Sequence, residues 1–287
     1  AYGGWAFGSV RLCFCCCFVV FSVPAATEAH PRPPVGRVRC GYGPGPVPVQ
    51  DADRLDAAEG VKLLRGVEAR VMMFGFSQDK DGLVGSDLEE NPFKDPRVRR
   101  AVAHAINVPA ILQTIMRGSA EPAAQLVSPA MRGYSEALDA RPALDVEGAK
   151  ALLTEAGYPE GFSFELKCPN DRYINDEQVC QAAVAMLAQI GLKAQLDAIP
   201  VRNYWAELRA DDYDMYLLGW SPGTFDAEHP FRFLVHSPQE NIGTWNFGGY
   251  ANPRADELIR AVQSEIDDTA RQGMLAAFAR MVQGAAA

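Results

Sequence analysis

Residues 161–220 read GFSFELKCPNDRYINDEQVCQAAVAMLAQIGLKAQLDAIPVRNYWAELRADDYDMYLLGW, and the order of segments within them predicts the fold class. Three segments are rich in apolar and β-compatible residues, which is typical of strands: Phe162–Cys168, Leu192–Ile199 and Tyr213–Gly219. Two segments between them are predicted to be helical: Asp176–Ile190 and Val201–Ala210. A strand–helix–strand–helix–strand order favours parallel strands joined by right-handed crossovers. The sequence therefore predicts an α/β fold.

The flanking sequence adds strands before this unit and helices on both sides of it. The predicted strands are Val61–Leu64 and Ala69–Phe76. Helix starts carry a capping Asp or a Pro at the first helical position, and they occur at Asp95-Pro96, Pro109 and Asp145. Two further helices are predicted at about 252–266 and 268–282.

The first 46 residues differ in character from the rest. Leu12–Val23 is an apolar run behind Arg11, and it is shorter than the roughly 20 residues that a membrane span requires. With Pro24, Ala25 and Ala26 after it, the run is typical of the apolar region of a secretory signal. A misassigned start of the reading frame and a hydrophobic tail without a role are the alternatives.

Composition excludes some classes of function. The chain has 36 acidic and 27 basic residues and a net charge of −9, which argues against a nucleic-acid partner because phosphate binding requires a basic surface. No H-E-x-x-H, G-x-S-x-G or P-loop motif occurs, and the histidines are scattered. Asp211, Asp212 and Asp214 are interpreted as a solvated loop plus one strand residue. We therefore expect no catalytic residues, no metal and no cofactor.

The candidate site follows from the parallel strands. Ligands of open α/β sheets bind beyond the carboxyl ends of the strands, where residues 169–175, 200–205 and 220–226 leave the sheet. These segments combine aromatic and polar side chains, which suit ligand binding. The candidate ligand-binding residues are Asn170, Arg172, Tyr173, Asn175, Arg202, Tyr204, Trp220 and Asp226. Each segment taken singly is also explained as a turn, since Asn, Asp, Pro and Gly favour turns for backbone reasons.

Charge suggests roles for three of these residues. Arg172 or Arg202 could pair with a ligand carboxylate, and Asp226 could meet an ammonium group.

Two cysteines fall inside the regular part of the chain. Cys168 ends a predicted strand and Cys180 lies in the first turns of the next helix, which packs back across that strand. The two could therefore come within bridging distance, and an oxidising compartment favours a disulfide. Two buried free thiols are the alternative.

Several motifs resemble one known family. NPFKDPRVRRAVAHAIN at 91–107 resembles a signature of the family 5 extracellular solute-binding proteins, the oligopeptide-, dipeptide- and nickel-binding components of ABC importers. The resemblance covers roughly 47–282. It continues through ALLTEAGYPEGF (151–162), MLAQIGLKAQL (186–196), YDMYLLGW (213–220) and YANPRADEL (250–258).

This resemblance implies a type II periplasmic-binding-protein-like lobe with a mixed, partly parallel sheet flanked by helices. Residues 1–46 would be an irregular or signal-like segment, 47–90 a remnant of a mostly missing first lobe with crossover strands, and 91–287 the second, substrate-binding lobe. The implied function is capture of peptides or peptide-like solutes for the transmembrane permease subunits of an ABC importer, by a monomer. The implied location is the periplasm of a Gram-negative cell or a membrane-associated extracytoplasmic position. A non-functional fragment and an α/β hydrolase-type enzyme are the alternatives.

One position departs from the family pattern. The peptide binders that the sequence resembles usually carry an Asp three residues after the GW tryptophan, where it holds the ammonium group of the peptide. Here that residue is Gly223, and Asp226 resembles a second acidic position of the same loop. The resemblance therefore implies a shifted or missing ammonium anchor.

Overall fold

The computed structural model describes residues 18–19, 45–46, 48–58, 68–86 and 88–285. Phe18–Val19 pairs with Gly45–Pro46 in a two-residue antiparallel ladder. The rest of the predicted signal segment and the strand predicted at Val61–Leu64 lie outside the described residues.

A four-stranded mixed sheet forms the centre of the fold. Its strands are β1 (Val71–Phe76), β2 (Ser163–Pro169), β3 (Lys193–Ile199) and β4 (Met215–Trp220). They lie in the order β1-β4-β2-β3. β2 pairs in parallel with both β3 and β4, whereas β1 runs antiparallel to β4. The predicted parallel unit and the mixed sheet are confirmed.

Helices cover both faces of the sheet. In chain order they are α1 (Ala52–Asp56), α2 (Pro96–Ala105), α3 (Val108–Thr114), α4 (Val146–Glu155), α5 (Asp176–Leu187), α6 (Val201–Arg209), α7 (Glu228–Leu234), α8 (Pro253–Ser264) and α9 (Asp268–Ala285). Side chains cap several starts as predicted: Asp95 accepts from the Arg97 N–H, and Asp145 accepts from the Gly148 N–H. Within the described part of the chain, no helix is both long enough and apolar enough to cross a bilayer.

The main core lies between the sheet and α2, α4 and α5. Phe93, Phe164 and Leu166 are fully buried there, and the Phe93 ring meets the Phe164 ring edge-on at 5.1 Å. On β2, alternate side chains point to opposite faces. Phe164 and Leu166 therefore enter this core, while Lys167 faces α6 on the other side.

Two smaller clusters complete the packing. Tyr204 of α6 packs with Tyr213 and Leu218 on the opposite face of the sheet. α7, α8 and α9 form their own cluster, in which the rings of Phe231 and Phe278 lie 4.3 Å apart. The segment that follows β4 leads into α7 and so into this layer of helices.

Candidate ligand-binding site

The segments that leave β2, β3 and β4 lie on one edge of the sheet, because the three strands run in the same direction. Side chains tie the first two segments together. The Asn170 side-chain amide donates to the Ala198 carbonyl at 3.3 Å, and the Asp171 carboxylate accepts from the Val201 N–H at 2.7 Å. The segments after β2 and β3 therefore form one connected surface.

Tyr173 joins the segment after β2 to the end of β4. Its hydroxyl accepts from the Gly219 N–H at 2.9 Å and donates to the Gly219 carbonyl at 3.2 Å. Burial raises the pKa of Tyr173, so the hydroxyl keeps the proton that this donation requires. The Asp176 carboxylate fixes the same segment by accepting from the Arg172 and Tyr173 N–H groups.

Two guanidinium groups flank the Tyr173 ring. The Arg172 group lies 5.2 Å from the ring centroid and the Arg70 group 5.6 Å from it. Arg70 also pairs with Glu68, whose carboxylate accepts from the Ser221 hydroxyl at 2.8 Å. Sequence reasoning missed Glu68 and Arg70. Glu68 and Arg70 reach this edge because β1 pairs with β4 in the antiparallel register that places Val71 opposite Trp220. No local sequence pattern predicts that register.

Trp220 forms an aromatic surface at the end of β4. Its half-buried ring lies 5.6 to 5.8 Å from the rings of His229, Phe233 and Trp245. The Trp220 indole N–H is buried and has no hydrogen-bond partner among the described residues. The three neighbouring rings were not predicted, although the spacing of His229 and Phe233 on one face of α7 is a usable signal.

Asp226 is paired inside the chain. Its carboxylate receives two hydrogen bonds from the Arg271 guanidinium, at 2.7 and 2.9 Å, and a third from the Glu228 N–H at 2.9 Å. Burial opposes ionisation, but the hydrogen bonds from Arg271 and the Glu228 N–H, together with the charges of Arg271 and Arg132, outweigh it, and the pKa of Asp226 lies below its ordinary value. Asp226 was expected to meet a ligand ammonium, but in the structure both of its oxygens accept from Arg271.

The other predicted site residues divide between packing and the surface. Tyr204 is fully buried, and its hydroxyl donates to the Leu217 carbonyl at 2.6 Å, so the ring belongs to the core instead of a ligand surface. Asn175 has a φ of +56° and donates to the Ile115 carbonyl, which fixes the start of α5 against α3. Asn170, Arg172 and Arg202 are exposed.

A cavity of about 420 Å³ lies elsewhere, between β1, α2, α3 and α9. Its wall is mostly apolar, with Arg99, Arg100 and Arg141 among the polar residues. None of the predicted ligand-binding residues lines it. This cavity and the strand-end surface are therefore different places.

Cys168 and Cys180 form a disulfide in the structure, with their Cα atoms 6.6 Å apart. Both are fully buried beneath the segment that carries Tyr173. We expect that alkylation of the unfolded protein without reductant leaves both unmodified in a mass spectrum, and that prior reduction makes both reactive. A carbamidomethyl group on each cysteine before reduction would contradict the disulfide.

Comparison with known proteins identifies the family. The family model of the bacterial extracellular solute-binding proteins, family 5 (middle region), matches residues 45–241. The glutathione-binding protein GsiB of Escherichia coli K12 is 28% identical over 219 residues, which are 75% of this chain and 40% of GsiB. The chain thus spans about 40% of the length of the curated relatives that it matches.

Solved structures show the same fold. The periplasmic binding protein DppA from Helicobacter pylori, in complex with the peptide STSA, superposes with a TM-score of 0.75 at 20% identity, over 84% of this chain and 44% of DppA. The binding protein AgaA of A. tumefaciens R10, in complex with agropinic acid, gives a TM-score of 0.71 at 26% identity, over 82% and 46%. The chain belongs to the bacterial extracellular solute-binding proteins of family 5.

Proposed function

We propose that the chain carries the ligand-binding lobe of the substrate-binding component of an ABC importer. The observation that carries the proposal is the strand-end edge, where Tyr173 bonds to the Gly219 backbone at the end of β4, the strand that also carries Trp220. Aromatic rings supply contact area there, and exposed polar groups supply orientation. Binding of this kind requires no reacting group, so the function needs no catalysis.

The organisation of the protein follows from this role. Residues 91–287 form the substrate-binding lobe, 47–90 belong to a first lobe and its crossover strands, and 1–46 form a signal-like segment. The protein acts as a monomer in the periplasm and delivers its solute to the transmembrane permease subunits. It has no nucleic-acid partner, since its net charge is −9.

The proposed ligands are peptides and peptide-like solutes that carry a carboxylate. Arg172 and Arg202 are exposed at the ends of neighbouring strands, and neither forms an ion pair with another described residue. A guanidinium group binds a carboxylate through two parallel hydrogen bonds. Two relatives agree with this choice, since one is named for glutathione and another was solved with agropinic acid.

Thermal stability in the presence of candidate ligands tests the proposal. The panel contains Ala-Ala, tripeptides, glutathione and agropinic acid, and a ligand present at a hundred times its Kd adds about 2.7 kcal/mol to the free energy of unfolding. We expect at least one of them to raise the melting temperature. No stabilisation by any member would contradict the proposed function.

Trp220→Ala and Arg172→Ala are each expected to weaken binding of the stabilising ligand at least about tenfold, because aromatic and Arg anchors dominate binding energy. Titration calorimetry measures the change. Arg260→Ala is the matched control, since Arg260 is exposed on α8 away from the strand ends and its loss should leave affinity unchanged. Unchanged affinity in both site variants would refute this placement of the ligand.

A further inference from the structure

The Cys168–Cys180 disulfide closes a loop of chain around the segment that leaves β2. Cys168 lies near the end of β2, and Cys180 lies in α5, 12 positions later. The disulfide loop therefore contains residues 169–175, with Arg172 and Tyr173 among them. Both cysteines are fully buried in the main core, so the bond fastens the base of this segment to the interior of the fold.

Contacts within the disulfide loop hold its backbone in one conformation. The Cys168 sulfur lies 3.5 Å from the Asp176 carbonyl oxygen. The buried Asp176 carboxylate accepts from the Arg172 N–H at 3.0 Å and from the Tyr173 N–H at 2.9 Å. Asn175 has a φ of +56°, a left-handed conformation that residues other than glycine adopt at a cost. Such a conformation persists only where the surroundings impose it, and the closed loop is one of these constraints.

The disulfide loop presents Tyr173 to the end of β4. The Tyr173 hydroxyl bonds to both backbone groups of Gly219, and a Cβ atom on Gly219 would lie 2.7 Å from Cε1 of Tyr173. The aromatic ring therefore rests directly on the backbone that leads into Trp220. A shift of the loop by about 1 Å would lengthen these hydrogen bonds beyond their effective range.

We propose that the Cys168–Cys180 disulfide positions the ligand-binding segment, so that ligand affinity depends on this bond being formed. The inference rests on the proposed function, because it concerns the same strand-end surface. Without the bond, residues 169–179 adopt further conformations, and the apparent affinity falls with the fraction of molecules that hold the binding conformation. A disulfide that only restrained the unfolded chain would change stability and leave affinity unaltered.

Replacement of both cysteines, Cys168→Ala with Cys180→Ala, tests the inference by titration calorimetry on the folded protein. The probes are Ala-Ala, tripeptides, agropinic acid and glutathione, the last also as its S-methyl derivative because a free thiol exchanges with disulfides. For each probe that stabilises the wild type, we expect Kd to rise at least about tenfold, as for a segment that holds its binding conformation about a tenth of the time.

The outcome separates this inference from the proposed function. Equal affinity in the folded double variant would overturn the inference and leave the proposed function standing. No stabilisation of the wild type by any probe would remove both.

Leu153→Ala is the matched control for lost stability. Leu153 is buried in α4, which packs against α2, and its truncation leaves a cavity whose cost is of the same order as that of a lost disulfide. We expect this control to bind like the wild type. A control that lost as much affinity as the double variant would show that general destabilisation weakens binding, which would overturn the positioning role.

Hydrogen exchange gives a readout that needs no ligand. The Arg172 and Tyr173 N–H groups donate to the Asp176 carboxylate, so both should be protected in the protein with the disulfide. In the double variant we expect both to exchange at least about tenfold faster than in Leu153→Ala. Equal exchange rates in the two variants would overturn the inference.

Tyr173→Phe tests how the disulfide acts on the ligand surface. The substitution removes the hydroxyl that bonds to Gly219 and keeps the aromatic ring. We expect it to weaken binding in the protein with the disulfide and to have a smaller effect in the double variant, because there Tyr173 already leaves Gly219 part of the time. Equal effects in both backgrounds would overturn this route.

Discussion

Replacing Asp214 with alanine is expected to lower the free energy of unfolding by about 3 kcal/mol or more. Asp214 is fully buried, directly before β4, and its carboxylate is the acceptor for three backbone N–H groups. One oxygen accepts from Val84 at 2.6 Å, and the other accepts from Gly85 and Glu165, each at 2.8 Å.

The size of this effect follows from what the substitution leaves behind. Alanine removes the acceptor but not the three donors, and a buried donor without a partner costs roughly 1–3 kcal/mol. The segment around Gly85 is also packed tightly against β2, so it cannot move to find other hydrogen-bond partners. A Cβ on Gly85 would lie 2.5 Å from the Glu165 backbone nitrogen, so this loop sits directly on β2.

Urea unfolding followed by circular dichroism measures the loss as a lower midpoint. Asp214→Asn should also destabilise, because its amide group would direct hydrogens at a backbone N–H. Asp212→Ala is the control, since Asp212 is exposed two residues earlier and should change stability by less than about 0.5 kcal/mol. A midpoint for Asp214→Ala equal to that of the control would disprove the anchoring role.

Asp214 also shows what a sequence pattern can and cannot predict. Phe162–Cys168 was identifiable as a strand because apolar side chains alternate along it, and Tyr213–Gly219 because it is a short apolar run of strand length. The cluster of three acidic residues before β4 has the composition of a solvated loop, and the structure buries one of its members completely. Burial of a carboxylate depends on distant backbone donors, which no local pattern reveals.

The candidate site likewise has features that the sequence predicted and features that it could not predict. The parallel strand order predicted that the segments carrying Tyr173 and Trp220 would leave the sheet at one edge, and this requires only the direction of the strands. The partner of Asp226 comes from Arg271 in α9, 45 residues later, and the helix α7 that presents His229 was not predicted. Tyr204 was misjudged because aromatic residues serve ligand surfaces and cores equally well.

Lys167→Met is expected to destabilise the protein by about 3 kcal/mol at pH 7, near the lower end of the range for breaking a buried ion pair. The Lys167 side chain is 3% exposed, and its ammonium group lies 2.7 to 2.8 Å from carboxylates of Glu165, Asp197 and Glu207. Glu165 lies on β2, Asp197 on β3 and Glu207 on α6, so one positive charge joins these three elements. The carboxylates are partly exposed, which keeps the expected cost from being larger.

The pKa of Lys167 determines how its contribution to the free energy of unfolding changes with pH. Burial lowers the pKa of Lys167, but hydrogen bonds to Asp197, Glu165 and Glu207 outweigh burial and raise it above its ordinary value. A raised pKa means that the stabilisation by the lysine is present at neutral pH and is lost only as the pH rises through that value. In the methionine variant, three carboxylates face one another without a cation. Burial already raises the pKa of Glu165.

The deficit of the variant should therefore be largest near pH 7 and should shrink towards pH 4, as the carboxylates take up protons and their repulsion disappears. Urea midpoints of both proteins across this range measure it. Lys193→Met is the matched control, because Lys193 is an exposed residue of neighbouring β3 and its loss should show no such trend.

Adding Glu165→Gln and Glu207→Gln to the Lys167 variant should recover part of the stability at pH 7, since two of the three unpaired charges are removed. A deficit that is constant between pH 4 and pH 7, or no recovery in the triple variant, would mean that methionine disturbs packing alone and that the charges around Lys167 do not join the sheet to α6.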